Sequence, residues 1–448
     1  MRVLGIGEFN DLAAMYDGFQ RRGHEVRVFV EDAGYHDVHA GIVERTGDWE
    51  RELGWIRAAG DEGVIVFESA VKGALQDRLR AEGFQVIGGS ALGDRLENDR
   101  DYGQSVLRDA GLRTAASHRF TDFGAARRFV VKKPGRYVLK FNGANQSRTR
   151  NFVGEMDDGA DLLAVLDQYQ RRRRPEDVLD FVLMEHLQGV EVGVGAYFNG
   201  REFLQPACID FEHKRLFPGD LGELTGEMGT IVSYRGSRLL FEAVLAPVAP
   251  LLREGGYVGY VNVNLMANDD GLWPLEFTSR FGYPGFAICE ALHREPWEVI
   301  FRRMLRRDGL HVATHDGFAC GVVLTVPPFP YPHGYEELSK GSPICLRDSL
   351  EANDRDRHLH WAEVERANGQ LLTSGKTGYI GVATGVGATV ADANAAALRV
   401  AQGVVVPNVR YRRDIGDRLT RGDLARLERL GWYEAPAVAT AGQVPAVA

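Results

Sequence analysis

Residues 180–200 have the sequence DFVLMEHLQGVEVGVGAYFNG, which predicts two strands joined by a short turn. The apolar run 181–184 predicts a buried strand, and the alternation after Val190 predicts a second strand that ends in an Asn-Gly hairpin turn. Two carboxylates, Glu185 and Glu191, flank the short turn between the two strands. Charged side chains therefore gather beside buried strands at this turn.

A second pair of predicted strands, 259–266 and 272–278, is joined by an Asn-Asp-Asp-Gly turn. Glu276 lies in the apolar second strand, and Arg280 follows it four residues later. Burying a carboxylate costs free energy unless the carboxylate meets a cation. We therefore expect Glu276 to have a cationic partner.

The chain opens with a predicted strand, helix and strand, which form a β-α-β unit. This alternation continues through three more segments, at 63–67, 71–82 and 85–88. We therefore expect one doubly wound α/β layer over residues 1–95. Gly5 and Gly7 either let the backbone approach a phosphate or form a tight structural turn, because Asn10 replaces the third glycine of a dinucleotide fingerprint.

Composition excludes several classes of protein. The chain has 448 residues, enough for roughly three domains of ~150 residues each. A net charge of -9 disfavours a dedicated nucleic-acid binder. The sequence predicts no membrane span and no signal peptide, so we expect a cytoplasmic protein. The four cysteines are far apart, which argues against a zinc cluster or a disulfide framework and predicts buried free thiols.

Motifs along nearly the whole chain resemble those of the ATP-grasp ligases, and within them the phosphoribosylamine–glycine ligase family. The matching segments are ESAVKG (68–73), LENDR (96–100), YVLK (137–140), MEHLQGVE (184–191), EHKR (212–215), GDLG (219–222), LTGEMG (224–229), LEFTSRFGYP (275–284), CGVVL (320–324) and RDIG (413–416). The segments from 212 to 229 together form a long and specific match.

The resemblance implies an α/β chain with an α+β ATP-grasp fold and three domains. These are an N-terminal doubly wound α/β domain (1–95), a two-lobed ATP-grasp domain (96–312) and a mixed α/β C-terminal domain (313–433). The two nucleotide-binding lobes are expected at about 112–180 and 181–312. The tail 434–448 is rich in Ala, Val and Pro without a period, and we expect it to be disordered.

The implied activity is an ATP-dependent ligation of a carboxylate and an amine, which forms an amide through an acyl phosphate. The implied cofactors are ATP and Mg²⁺ or Mn²⁺. The expected partners are small-molecule amine and carboxylate substrates, with no nucleic acid and no membrane, and the expected state is a monomer or a homodimer. The alternative is a non-catalytic nucleotide-binding homologue.

The resemblance also implies roles for individual residues. Catalysis is assigned to Arg280, Lys214 and Arg215. Nucleotide binding is assigned to Arg100, Lys140, Arg148, Arg150, Glu185, His186, Leu187 and Glu191. Metal binding is assigned to Glu276, Thr278 and an asparagine of the facing strand, either Asn262 or Asn264. Lysine suits a phosphate contact as a compact point charge, and Mg²⁺ prefers carboxylate oxygen.

The chain departs from the family at three places. GIGEFNDLA (5–13) replaces the N-terminal phosphate loop and brings acids to it, so phosphoribosylamine and a different amine both remain open as substrates. The flap becomes 143–150, where Arg148 or Arg150 supplies charge in place of glycine N–H groups. A metal-binding asparagine becomes Thr278. We expect His213 to be a hydrogen-bonding residue rather than a base.

Overall fold

The structure is a computed structural model that describes residues 1–142, 150–174 and 179–434. Its first elements are β1 (Arg2–Gly7), α1 (Ala13–Arg21), β2 (Glu25–Val30), α2 (Leu53–Arg57), β3 (Gly63–Phe67), α3 (Gly73–Ala81) and β4 (Gln85–Ile87). The strands form a parallel sheet in the order β2-β1-β3-β4. Every residue of β3 is buried, which is typical of a parallel strand covered on both faces.

A small antiparallel sheet follows two helices, α4 (Ala91–Asn98) and α5 (Arg100–Asp109). Its elements are β5 (Ser117–Phe120), α6 (Phe123–Lys132), β6 (Tyr137–Phe141), β7 (Phe152–Val153), α7 (Ala160–Arg172) and β8 (Phe181–Glu185). The strand order is β5-β8-β6-β7. Phe123, Leu139 and Phe181 pack together in the core between this sheet and its helices.

The remaining chain builds a large antiparallel sheet. Its first elements are β9 (Val190–Asn199), β10 (Cys208–Glu212), β11 (Arg215–Phe217), β12 (Leu221–Leu224), β13 (Gly229–Ser233), α8 (Arg238–Leu240), α9 (Ala249–Glu254), β14 (Val258–Asn268), β15 (Gly271–Thr278), α10 (Gly285–Leu292) and α11 (Trp297–Arg306). The elements after them are β16 (Phe318–Thr325), α12 (Tyr335–Leu338), β17 (Pro343–Leu346), α13 (Ala352–His358), β18 (Leu359–Trp361), β19 (Val364–Ala367), β20 (Gln370–Thr373), β21 (Tyr379–Gly387), α14 (Val390–Gln402), β22 (Val404–Val405) and α15 (Leu424–Arg429).

The large sheet has the strand order β15-β14-β9-β10-β13-β16-β21-β18. Strand β13 pairs with β16 from Gly229 opposite Val322 to Val232 opposite Ala319. The sheet therefore continues across residue 312, where the sequence places the end of the ATP-grasp domain. The domain limits at 95, 312 and 433 stay predictions, whereas the predicted α/β fold class is confirmed.

One expectation about the cysteines is wrong. Cys208, Cys289 and Cys320 are buried as predicted, but Cys345 is exposed. It follows the buried Ile344 on β17, and neighbouring side chains of a strand point to opposite faces, so Cys345 points to solvent. Within the part of the chain that the structure describes, no helix is long and apolar enough to cross a membrane. Residues 435–448 of the predicted tail lie outside the described residues.

Candidate active site

A cavity of about 540 Å³ lies between the large sheet and the small sheet. Because successive side chains alternate across a strand, each strand can give one face to the core and the other to the cavity. The core face of the large sheet carries Val192, Ile209, Val263 and Phe277. The cavity face carries Glu191, Asp210, Glu212, Asn262, Glu276 and Thr278. Alternation therefore sets a polar surface directly on an apolar core.

Lys140 and Glu276 approach each other from opposite sides of this cavity. Lys140 Nζ, on β6, lies 3.5 Å from Glu276 Oε2, on β15. Nη2 of Arg100, at the start of α5, lies 3.8 Å from the same oxygen. Burial lowers the pKa of Lys140, and the charge of Glu276 opposes this effect. Glu276 therefore has the cationic partner expected from the sequence. The structure supplies two, Lys140 and Arg100, which face it across the cavity.

Lys214 lies between two carboxylates on the same face. Its Nζ donates to Glu191 Oε1 at 2.7 Å and is 3.1 Å from Glu212 Oε2. Asn264 Nδ2 donates to the same two oxygens, at 3.1 and 3.2 Å. Burial alone would lower the pKa of Lys214, but the two carboxylates raise it well above its ordinary value. Lys214 is thus held as a fixed cation.

Arg280 is oriented by Glu97, a residue to which the sequence assigned no role. Glu97 Oε1 accepts from Arg280 Nε at 3.1 Å, and Oε2 accepts from the backbone N–H of Ser279 at 2.8 Å. Both residues line the cavity. Glu97 belongs to the LENDR segment that carries the family resemblance, so this segment was the available signal.

Asp210 lies on β10 at the bottom of the cavity and was also missed. Its carboxylate accepts a hydrogen bond from Asn262 Nδ2 at 2.6 Å. Burial, followed by the nearby charge of Glu212, raises the pKa of Asp210 to about 7. A Cβ added to Gly193 would lie 2.2 Å from Asp210 Oδ1, so the glycine makes room for this side chain.

The turn between β8 and β9 brings Glu185, His186 and Leu187 to the cavity wall. The backbone N–H of Glu185 donates to Ala116 O, and that of His186 donates to Arg136 O, both at 3.0 Å. His186 Nδ1 is buried and has no hydrogen-bond partner within the described residues. A buried ring nitrogen without a partner is costly, so a ligand that bonds to it would be favoured.

The predicted metal ligands lie close together on β14 and β15. Asn264 is directly opposite Glu276, and Asn262 is directly opposite Thr278. Asn264 Oδ1 is buried without a partner among the described residues, whereas Asn262 is bonded to Asp210. The carboxylate, amide and hydroxyl oxygens fit a hard cation that keeps several waters. The described residues contain no group of three His, Cys, Asp or Glu side chains placed to hold a metal.

The remaining arginines of the predicted site lie at different places in the structure. Arg215 lines the cavity, and its Nη1 donates to Gly222 O at 2.7 Å. The Arg150 guanidinium lies over the Phe141 ring, 4.3 Å from its centroid. Arg148 lies outside the described residues. Arg418, which the sequence did not single out, also lines the cavity and donates to Glu212 O at 2.9 Å.

His213 is a buried hydrogen-bonding residue. Its Nε2 accepts from the backbone N–H of Gly416 at 3.1 Å. Burial lowers the pKa of His213 to about 4, so the ring is neutral near pH 7. This arrangement agrees with the hydrogen-bonding role expected from the sequence.

Comparison with known proteins shows which class of protein the chain resembles. Residues 98–286 match the family model of the phosphoribosylglycinamide synthetase ATP-grasp (A) domain. The chain is 26% identical over 350 residues to phosphoribosylamine–glycine ligase of Listeria monocytogenes, a match that covers 76% of this chain and 80% of that protein. It is 28% identical over 366 residues to the enzyme of the same name from Nostoc sp., covering 80% and 84%.

Two solved structures from Thermotoga maritima share the fold. Phosphoribosylamine–glycine ligase has a TM-score of 0.70 at 24% identity, covering 93% of this chain and 100% of that chain. N5-carboxyaminoimidazole ribonucleotide synthetase has a TM-score of 0.56 at 14% identity, covering 90% and 99%. The matched region, residues 98–286, is an ATP-grasp domain. The chain is similar to phosphoribosylamine–glycine ligase, and the prediction of an ATP-grasp ligase is confirmed.

Proposed function

We propose that the chain is an ATP- and Mg²⁺-dependent carboxylate–amine ligase. The γ-phosphoryl group of ATP passes to a substrate carboxylate, which gives an acyl phosphate and ADP. The amine then attacks the acyl carbon, a C–N bond forms, and phosphate leaves. The observation that carries this proposal is the approach of Lys140 and Arg100 to Glu276 across the cavity, because phosphoryl transfer depends on positioning and charge neutralisation.

Different residues of the cavity would bind ATP and Mg²⁺. The turn at Glu185–Leu187 would hold the base of ATP, and Lys140 and Arg100 would contact its phosphates. Glu276, Thr278 and Asn264 would hold Mg²⁺, which when bound neutralises phosphate charge. Each of these assignments is a proposal that rests on the residues' common position around one cavity.

Arg280 would contact the substrate carboxylate or the transferring phosphoryl group. A guanidinium makes two parallel hydrogen bonds to such a group. Glu97 fixes the direction of the guanidinium, so the contact needs little reordering when substrate binds.

We further propose that the amine differs from phosphoribosylamine, the amine in the names of the relatives. The support lies at β1, where a Cβ added to Gly7 would be 2.0 Å from Glu68 Oε2 and one added to Gly5 would be 2.4 Å from the Tyr16 ring. Both glycines therefore accommodate buried side chains. Glu68 also accepts from the backbone N–H of Asp11 at 2.8 Å, so this donor of the loop is already bonded within the protein.

Two measurements test the proposed function. ATP is titrated with and without Mg²⁺, and ADP release is then followed over a panel of amines and amino acids. ADP release that requires both an amine and a carboxylate supports the proposal. ATP binding without ADP release for every pair would instead favour the non-catalytic nucleotide-binding alternative.

A further inference from the structure

We infer that the cavity contains a separate pocket for the ammonium group of a substrate that carries no phosphate near that group. This ammonium pocket consists of Asp210, Asn262, Tyr260, Cys208 and Cys289, which all line the cavity. The inference rests on the proposed function, because a carboxylate–amine ligase requires an amine substrate.

The register of the large sheet positions the ammonium pocket. Glu191 lies opposite Met266 near the turn at 185–187, and Gly193 and Gly195 follow Glu191 on β9. Gly193 lies opposite Asp210, and Gly195 lies opposite Cys208 and Asn262. Because a strand rises about 3.3 Å per residue, Gly195 is roughly 13 Å from Glu191 along β9. The pocket thus extends away from the turn that would hold ATP.

Two glycines form the floor of the ammonium pocket. A Cβ on Gly193 would lie 2.2 Å from Asp210 Oδ1, and a Cβ on Gly195 would lie 1.9 Å from Tyr260 Oη. The polar ends of Asp210 and Tyr260 therefore lean over β9 from its two neighbouring strands. Any larger residue at either glycine would fill the space into which these polar groups point.

The carboxylate of Asp210 lacks a full set of partners. Asp210 is only 8% exposed, and its Oδ2 accepts one hydrogen bond, from Asn262. No other hydrogen bond or ion pair to this carboxylate occurs within the described residues. A buried carboxylate is costly unless a cation or donors surround it. A cationic hydrogen-bond donor next to Asp210 Oδ1, the oxygen beside Gly193, would therefore be stabilising.

Among the described residues, no cationic side chain bonds to Asp210. None of the five pocket residues is a lysine, arginine or histidine. Lys214, four residues after Asp210, is bonded to Glu191 and Glu212. An ammonium group has three donors and a compact charge. Asp210 Oδ1 and Tyr260 Oη can accept from it. A phosphate here would meet the carboxylate of Asp210 and no lysine, arginine or histidine among the five pocket residues, so an anionic group is disfavoured.

The inference is tested by calorimetric titration of the ADP-loaded full chain. The probes are ethanolamine and glycinamide, which carry a primary ammonium, ethylene glycol, which is neutral, and phosphoethanolamine, which adds a phosphate. We expect at least one ammonium probe to bind, and ethylene glycol and phosphoethanolamine to bind at least tenfold more weakly. Equal binding of the neutral probe, or no binding of either ammonium probe, would overturn the inference.

Two variants locate the effect. Asp210→Asn should weaken ammonium binding at least tenfold while the affinity for ADP stays within twofold of wild type. The exchange Asp210→Asn/Asn262→Asp keeps the hydrogen bond and returns the carboxylate to the pocket, so it should recover most of the lost affinity. Failure of the exchange to recover binding, in a protein that still binds ADP, counts against the pocket.

The exchange variant also covers the case in which Asp210→Asn alone does not fold. ADP release by the wild type over the amine panel is measured separately. If the wild type releases ADP but Asp210→Asn binds the ammonium probes normally, the proposed function stands and the ammonium pocket is wrong. If the probes bind as expected but no pair of substrates releases ADP, the proposed function is wrong and the pocket stands.

Discussion

Glu97 clamps Arg280 from the end of α4, with its two carboxylate oxygens accepting from Arg280 Nε and from the backbone N–H of Ser279. The first of these bonds fixes a side chain, and the second fixes the backbone that carries it. One carboxylate therefore sets both the position and the direction of the guanidinium at the cavity wall.

We expect Glu97→Ala to lower the rate of ADP release about tenfold or more while the affinity for ATP changes little. A hydrogen bond to a charged group contributes about 1.5–3 kcal/mol, and here it orients the group assigned to the reacting centre rather than to the nucleotide. Steady-state ADP release and ATP titration measure the two effects. The exposed Glu254→Gln is the matched control, and an unchanged rate in Glu97→Ala contradicts the positioning role.

Lys140→Ala and Glu276→Ala should each abolish ATP turnover while leaving the fold intact. The two residues are polar groups at the cavity, so their loss would remove the proposed phosphate and metal contacts rather than core volume. ADP release and the circular dichroism spectrum are measured on both variants. Normal turnover in either one would be incompatible with the proposed roles.

The double variant Arg148→Ala/Arg150→Ala tests whether the flap closes over the γ-phosphate. We expect turnover to fall more than the affinity for ADP, which lacks that phosphate, because a guanidinium forms strong charge-assisted bonds to phosphate. Trypsin cleavage after Arg148 and Arg150 should slow when an ATP analogue is present. Arg150 packs on the Phe141 ring, so unchanged cleavage and unchanged turnover would leave it a packing residue.

Glu68 should make the stability of the protein depend on pH. Burial raises the pKa of Glu68 to about 8, from an ordinary value of 4.5. Between these values the folded state holds a proton that the unfolded state has lost, so the free energy of unfolding falls as pH rises. The slope from one group is at most about 1.4 kcal/mol per pH unit. Above pH 8 this contribution is fully lost.

Urea unfolding from pH 5 to pH 9 measures this effect. Glu68→Gln removes the titrating group, so its stability relative to wild type should rise from pH 5 to about pH 8 and level off above it. The exposed Glu82→Gln should keep the wild-type slope. A constant difference between Glu68→Gln and wild type at all pH values would show that Glu68 does not titrate as described.

The sequence predicted the site best where a motif carries the residue. Lys140, Glu185 and Glu276 lie in matched segments, and all three line one cavity. Glu97 lies in a matched segment too, but its role depends on the distant Ser279 and Arg280, a contact that spacing along the chain does not reveal.

Asp210 illustrates a second limit. In sequence it is one acid in an alternating strand, which is typical of a solvated strand face. Only the register shows that it lies over Gly193 and beside Asn262. The exposed Cys345 shows the same limit, because a short strand of mixed residues does not indicate which of its faces is covered.

The pairing of β13 with β16 determines how the chain can be divided. A protein cut after residue 312 would lose β16, β21 and β18, and residues 229–232 of β13 would become an open sheet edge with unpaired N–H and C=O groups. Such edges pair readily with other chains. The part of the chain before residue 313 would therefore tend to aggregate when expressed alone, because the C-terminal strands would no longer cover this edge.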